Sequence, residues 1–509
     1  MKKNLSKLFA MALALIMVMA LTVPAMAAAP AETGSITVNN AVNEKTYIIY
    51  RIFDLKQVAG SGTTEATAKV SYTIADKWTG FFAAGEDGAQ YIVADQGSLT
   101  NQIVVDGVTK WINITEANVA EFAQDALAYA LENSTANDGE KAADGSTVTF
   151  SGLALGYYMV YPKGATDIKD NLGSICSLTS TIPSATVVPK ADYPTVDKEV
   201  DDANVQFGQV VTYTITGQVP DTTGYVAGSY TYKIKDTMNG LTLNGKYSVT
   251  IGGDYVLVDN INTPAVDKSA LITGTVPTDG ASSFEMGITV DGEDMQTNHV
   301  GESIVIKYQA VVSETATIGP NGNKNSAQPI YSNDPDQTEN GTPVEVKVYT
   351  CEIDIVKVDG ADSNKKLSGA EFALMNSDGK YYKLTNGVVS WETIAGATYE
   401  NIVANATTVT TDENGAAEFK GIEAGSYQLV EIKAPQGYNL LTTPEEVTIA
   451  SDGDQAYVTA TATVENNTGS VLPSTGGMGT TLFYTIGGVL VVAAGVLLVT
   501  KKRMNNMEG

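Results

Sequence analysis

Cys351-Glu352-Ile353-Asp354-Ile355-Val356-Lys357-Val358-Asp359 is the stretch on which the reading of this chain turns. Side chains alternate faces along a strand, so Ile353, Ile355 and Lys357 share one face. A lysine is thereby aimed into an apolar row. Downstream, Tyr427, Leu429 and Glu431 share a face, as do Val458, Ala460, Ala462, Val464 and Asn466. Each row carries one polar side chain among apolar ones. An isolated buried charge is costly, so each must find a partner or lose its charge. Burial lowers a lysine pKa and raises a glutamate pKa, which leaves a neutral amine beside a protonated acid. Held against the Asn466 amide, such an amine would displace ammonia and form an amide crosslink, with proximity replacing an external catalyst. The acid would hydrogen-bond to the amide carbonyl and polarise it.

The same logic recurs upstream with different spacing. Val196, Lys198 and Val200 share a face, and Tyr230, Tyr232, Ile234 and Asp236 share another. Asn325, Ala327, Tyr331 and Asn333 alternate together, so parity does not separate Asn325 from Asn333 as the amide nearest Lys198. Nearer the N-terminus, Phe150, Gly152, Gly156, Tyr158 and Val160 match Phe419, Gly421, Gly425, Tyr427 and Leu429 with one constant offset, which points to a repeated strand and turn. In that register Pro162 stands where Glu431 would be, and the opening strand Ser35-Ile36-Thr37-Val38 has no lysine. The first block is therefore expected to fold without a crosslink and to be the least stable.

Thr, Val and Ile at period two, bounded by Gly, Asn and Asp, run from Ser35 to Val464 and predict an all-β body. One segment departs from this: from Thr115 to Glu132, Val119, Phe122, Ala126 and Tyr129 fall at helical spacing behind Thr115 as N-cap. Proline clusters mark the joints, giving blocks at 28–190, 191–350 and 351–470, each expected to be an immunoglobulin-like β-sandwich.

The two ends are processing signals. Lys2, Lys3 and Lys7 precede an uncharged run from Leu8 to Leu21 and the small-residue ending Ala25-Met26-Ala27. A helix of that length rises only about 21 Å, short of the bilayer core, so residues 1–27 are expected to be a removed signal peptide. At the C-terminus, residues 471–509 contain Leu472-Pro473-Ser474-Thr475-Gly476, an uncharged stretch from Leu482 to Val499, and Lys501-Lys502-Arg503. The apolar stretch is long enough to span a membrane and the basic cluster would stay inside. Together these resemble an LPxTG cell-wall sorting signal. The resemblance implies that a sortase cysteine attacks the Thr475 carbonyl, releases Gly476 onward, and passes the acyl group to an amine.

The formal net charge of −27 argues against nucleic-acid binding, which needs basic patches. Only Cys176 and Cys351 are present, so there is no disulfide framework, and the single histidine, His299, is expected to be an exposed loop residue. No cofactor or metal is expected. Asp291 to Asp294 is acid-rich, but its spacing is not that of an EF-hand.

Block 351–470 resembles a CnaB domain through Lys357-Val358-Asp359, Leu367-Ser368-Gly369-Ala370-Glu371-Phe372 and Tyr427-Gln428-Leu429-Val430-Glu431-Ile432-Lys433-Ala434-Pro435-Gln436-Gly437-Tyr438. The resemblance implies an isopeptide bond between Lys357 and Asn466 assisted by Glu431. The middle block resembles the CnaA-like second domain of fimbrial isopeptide proteins, implying Lys198 and Asn325 as the bonded pair and Asp236 as the assisting acid. Val187-Val188-Pro189-Lys190 resembles the pilin motif of SpaA-type backbone pilins of Gram-positive bacteria, with Val where Tyr is usual. Lys190 is then the intersubunit acceptor, and Tyr161-Pro162-Lys163, inside the first block, is the rival. What the family implies is a secreted, non-enzymatic shaft subunit at the cell wall. Its partners would be a class C pilin sortase, a housekeeping sortase with peptidoglycan, identical subunits and accessory pilins. A wall-anchored adhesin or minor pilin is the alternative.

Overall fold

The computed structural model describes residues 33–57, 70–165, 174–179, 182–189, 192–222, 225, 227–261, 268–335, 337–450 and 459–469. The signal peptide, Lys190 and the sorting motif Leu472 to Gly476 lie outside the described residues. So does the apolar segment 482–499; no described helix is long and apolar enough to cross a membrane. The chain forms two compact units, one of residues 1–317 and 321–350, the other of 318–320 and 351–509.

Within the first unit, residues 33–187 build a three-stranded sheet in the order Ser184–Val187, Thr33–Asn39, Thr147–Ala154, and an eight-stranded sheet centred on Thr46–Gln57 and Gly156–Pro162. Ile36 and Val38 of the smaller sheet pack against Tyr47, Ile49, Tyr158 and Val160 of the larger. The opposite face of the larger sheet, with Ile48, Tyr50, Met159 and Tyr161, is covered by the helix Val119–Glu132 through Phe122, Ala126 and Leu127. That is why every residue of Gly156–Pro162 is buried and the strand reads as a continuous apolar run. The helix begins later than expected. Thr115 is not its N-cap: its backbone N–H and hydroxyl both donate to Asn118 Oδ1, at 2.7 and 3.1 Å, and Asn118 takes the cap position.

Residues 197–348 form a second pair of sheets that shares no strand pairing with the first pair among the described residues. One has five strands, ordered Asp197–Val200, Val210–Gln218, Ser303–Val312, Leu241–Ile251, Tyr255–Asp259; the other has six and contains Tyr232–Met238 beside Asn323–Asp334. The two regions nevertheless pack into one unit. Tyr225 of the middle region packs on the aromatic core of the first. Lys45 of the first donates to Glu339 at 2.6 Å and to the Tyr331 hydroxyl at 2.7 Å, with the Tyr193 ring 4.6 Å away.

The second unit is again a pair of sheets, of four and six strands. Cys351–Asp359 is flanked by Ala416–Ile422, antiparallel, and by the final strand Ala460–Asn466, parallel. The first region has the same plan: Thr33–Asn39 pairs antiparallel with Thr147–Ala154 and parallel with Ser184–Val187. The sequence repeat is thus a repeated crossover: in each copy one strand, Thr147–Ala154 or Ala416–Ile422, lies in the smaller sheet and the next, Gly156–Pro162 or Gly425–Lys433, in the larger. Gly152 and Gly421 are the residues skipped at the bulge of the first strand in each copy, at φ +71° and +69°, and in each copy a tyrosine hydroxyl donates four residues back, Tyr158 to the Ala154 carbonyl at 2.6 Å and Tyr427 to the Glu423 carbonyl at 2.8 Å. A short helix, Tyr399–Asn405, capped by the Thr398 side chain, also lies in this unit, where the sequence reading has only strands.

Candidate functional site: two buried lysine, acid and asparagine clusters

In the second unit, Lys357 projects from one sheet and Glu431 from the other, so the pair meets across the sandwich core. Both side chains are fully buried, with Lys357 Nζ 3.8 Å from Glu431 Oε1. The parallel pairing sets Lys357 opposite Val464 and Asp359 opposite Asn466, which keeps Asn466 within the same buried row. Asn466 Nδ2 donates to Glu431 Oε2 at 2.9 Å and to the Asn439 carbonyl at 2.5 Å; the amine donates to the Val464 carbonyl at 3.0 Å. Glu431 Oε1 and Asn466 Oδ1 are buried without a hydrogen-bond partner, so the site holds unspent acceptor capacity. Burial pulls the Lys357 amine down to about 8, against the raising pull of Glu431.

The middle region repeats the arrangement with a different frame. Lys198 lies on the edge strand of the five-stranded sheet and points across the core at Asp236 and Asn325 of the six-stranded one. Its Nζ donates to Asp236 Oδ2, to Asn325 Oδ1 at 2.9 Å and to the Tyr308 hydroxyl at 2.8 Å. Burial lowers the Lys198 pKa and raises that of Asp236, each opposed by its partner's charge. Asn333 is eight residues along the same strand, roughly 26 Å from Asn325 at strand rise. It sits at the other end, against Gly164 of the first region. The structure therefore brings Lys198, Asp236 and Asn325 together and leaves Asn333 apart.

No such cluster occurs among the described residues of the first region, where Ser71 alone is a buried polar residue. Pairing Ile36 with Phe150 and Ile353 with Phe419 aligns the two copies and sets Asn40 at the place of Lys357 and Pro162 at that of Glu431. Both the amine and the acid are missing.

Lys163 is half-buried, 12% exposed, and paired with Glu140 at 3.5 Å and Asp334 at 3.6 Å. An acceptor amine must be reached by another molecule's acyl group; this one is engaged. His299 is not the exposed loop residue expected: its Nδ1 lies 2.7 Å from Glu302 Oε2 and its ring 4.6 Å from that of Tyr255. In the acid-rich loop Asp291 is buried and accepts from the Tyr230 backbone N–H at 2.8 Å, and Asp294 accepts from Asn298 and Tyr255, so these acids serve internal hydrogen bonds. Cys176 and Cys351 are both free and buried, and burial pushes their thiols up to about 12 and about 11.

Residue types, not spacing alone, define the chemistry. An amine, a primary amide and a carboxyl group buried together in a sandwich core have the parts needed for amide exchange with loss of ammonia. Residues 351–464 match the SpaA prealbumin-like fold domain and 464–506 the LPXTG cell wall anchor motif. The class is that of cell-wall-anchored extracellular proteins of Gram-positive bacteria.

The chain is also similar to named surface and fimbrial proteins of such bacteria. The chain is 26% identical over 321 residues to the trypsin-resistant surface T6 protein of Streptococcus pyogenes serotype M6, covering 58% of this chain and 52% of that one. It is 26% identical over 350 residues to the fimbrial subunit type 1 of Actinomyces viscosus, covering 61% and 64%. The chain thus spans about half of the first relative and under two thirds of the second. The solved structure of the T6 backbone pilin of S. pyogenes, described as modular and three-domain, shares the fold at a TM-score of 0.50 and 16% identity, over 87% of this chain and 100% of that one.

Proposed function

We propose that this chain is the structural backbone subunit of a sortase-assembled pilus and not an enzyme. It has three modules, 28–190, 191–350 and 351–470, between a signal peptide and the sorting signal. Intramolecular amides join Lys198 to Asn325 and Lys357 to Asn466, with Asp236 and Glu431 assisting; in each, Nζ bonds to the asparagine Cγ and ammonia leaves. Thr475 of one subunit is joined to Lys190 of the next by a class C sortase, and a housekeeping sortase finally transfers the polymer to peptidoglycan. Head-to-tail contacts of this kind propagate rather than close. Accessory pilins would share the same acceptor chemistry.

The observation that carries the reading is the presence, in a chain with a wall-anchor motif, of an amine, an acid and an amide side by side in each of two sandwich cores. The burial and pairing of Lys163 support Lys190 as the acceptor. The test is immunoblotting of cell-wall extracts: a ladder of high-mass species that collapses to monomer in Lys190→Ala is expected. A single band from the unaltered chain would overturn the shaft reading in favour of a wall-anchored adhesin.

A further inference from the structure

We infer that Tyr308 is a catalytic residue of the middle-region crosslink, relaying the proton that leaves the Lys198 amine to the departing nitrogen of Asn325. The inference rests on the amide-forming reading of that site and goes beyond the lysine, acid and asparagine that define it.

Tyr308 is fully buried on the Ser303–Val312 strand, where its hydroxyl accepts from Lys198 Nζ at 2.8 Å and from Asn325 Nδ2 at 2.8 Å. One oxygen therefore touches both the atom that must lose a proton and the atom that must gain one. Asp236 grips the amine through Oδ2, while its Oδ1 is buried without a hydrogen-bond partner. The second unit divides the work differently. There Glu431 reaches Asn466 Nδ2 directly at 2.9 Å with one oxygen and faces Lys357 Nζ at 3.8 Å with the other. Aspartate is one methylene shorter, and in the middle region a phenol stands between the two nitrogens instead.

The balance is simple. The Nζ lone pair attacks Cγ and the carbonyl electron pair moves to Oδ1. Nδ2, no longer conjugated, acquires a lone pair. Tyr308 gives its proton to Nδ2 while taking one from Nζ; the Cγ–Nδ2 bond breaks, ammonia departs and the carbonyl re-forms. One C–N bond is made, one is broken and one proton has moved, with no other reactant. Burial, and after it the charge of Asp236, raises the phenol well above its ordinary pKa, so Tyr308 starts protonated, as a relay must. Its ring is held in place by the stacked Tyr213 at 5.5 Å and by the edge contact with Phe284 at 5.1 Å.

The test follows newly synthesised full chain in a cell-free system, timing the loss of ammonia by mass spectrometry and locating it by peptide mapping. In Tyr308→Phe, closure at Lys357–Asn466 keeps the unaltered rate, resistance of residues 197–348 to limited proteolysis reports that the middle region has folded, and closure at Lys198–Asn325 slows by about a hundredfold. Site-specific trifluorotyrosine at 308 keeps the shape but acidifies the phenol, so the pH profile of middle-region closure moves to lower pH. If Tyr308→Phe closes at the unaltered rate, the relay is wrong and the crosslink stands. If the unaltered chain never loses ammonia at Lys198, the crosslink reading itself fails. Should Tyr308→Phe not fold, the fluorinated chain decides, and an unmoved pH profile overturns the relay.

Discussion

Glu431 meets Asn466 with one carboxylate oxygen, at 2.9 Å, and faces Lys357 with the other, at 3.8 Å, although amine and amide project from adjacent parallel strands and the acid from the opposite sheet. Glu431→Ala should therefore disable the C-terminal site alone. Intact mass should show the ammonia of that site retained and that of the middle region lost. Calorimetry should show destabilisation of about 3–5 kcal/mol, because a buried amine is left without its acid. Retention of the full mass deficit would show that Glu431 is dispensable.

Blocking the bond while keeping the amine exposes a pH dependence. In Asn466→Ala, Lys357 has its ordinary pKa of 10.5 when unfolded, and burial pulls it down to about 8 when folded. Between those values the unfolded chain binds more protons, so stability rises with pH across that window. Below about pH 8 the penalty of burying the charge is fully present. Thermal unfolding against pH should show this rise, and Asn466→Ala with Lys357→Met should lack it.

Lys163→Ala removes the pairings with Glu140 and Asp334. Pairs of this partly exposed kind contribute about 0–1 kcal/mol. The melting temperature should shift only slightly and the cell-wall ladder should persist. Loss of the ladder with intact folding would make Lys163 the acceptor in place of Lys190.

Gly152 forms the bulge of the Thr147–Ala154 strand at φ +71°, and a Cβ there would meet nothing within 4 Å. Gly152→Ala should therefore cost only the left-handed backbone penalty of about 1–2 kcal/mol, read by thermal unfolding of the first unit. A neutral result would mean that the bulge adjusts to a right-handed conformation.

Much of the site was legible because strand alternation is strict. Lys357, Glu431 and Asn466 each break an apolar row, and the fold turns those three breaks toward one another. Parity carried less in the middle region: Asn325 and Asn333 face the same way, and only the register beside Tyr232–Met238 separates them. Tyr308 was invisible for a different reason. A tyrosine in an apolar strand reads as core, and its hydroxyl acquires meaning only once Lys198 and Asn325 converge on it. The unbroken apolar run Gly156–Pro162 hid its layering until the helix was found on the second face, and the docking of Tyr225 on the first region's core left no periodic trace.

The parallel placement of Cys351–Asp359 beside Ala460–Asn466 has a mechanical corollary. Pulled apart by its two ends, an untied module would pay out roughly 110 residues between the paired side chains, on the order of 360 Å of slack. With Lys357 fused to Asn466, force entering at one strand leaves by its neighbour without visiting anything in between. Loops and inner strands of that module are then free to vary, since they hang outside the line of tension.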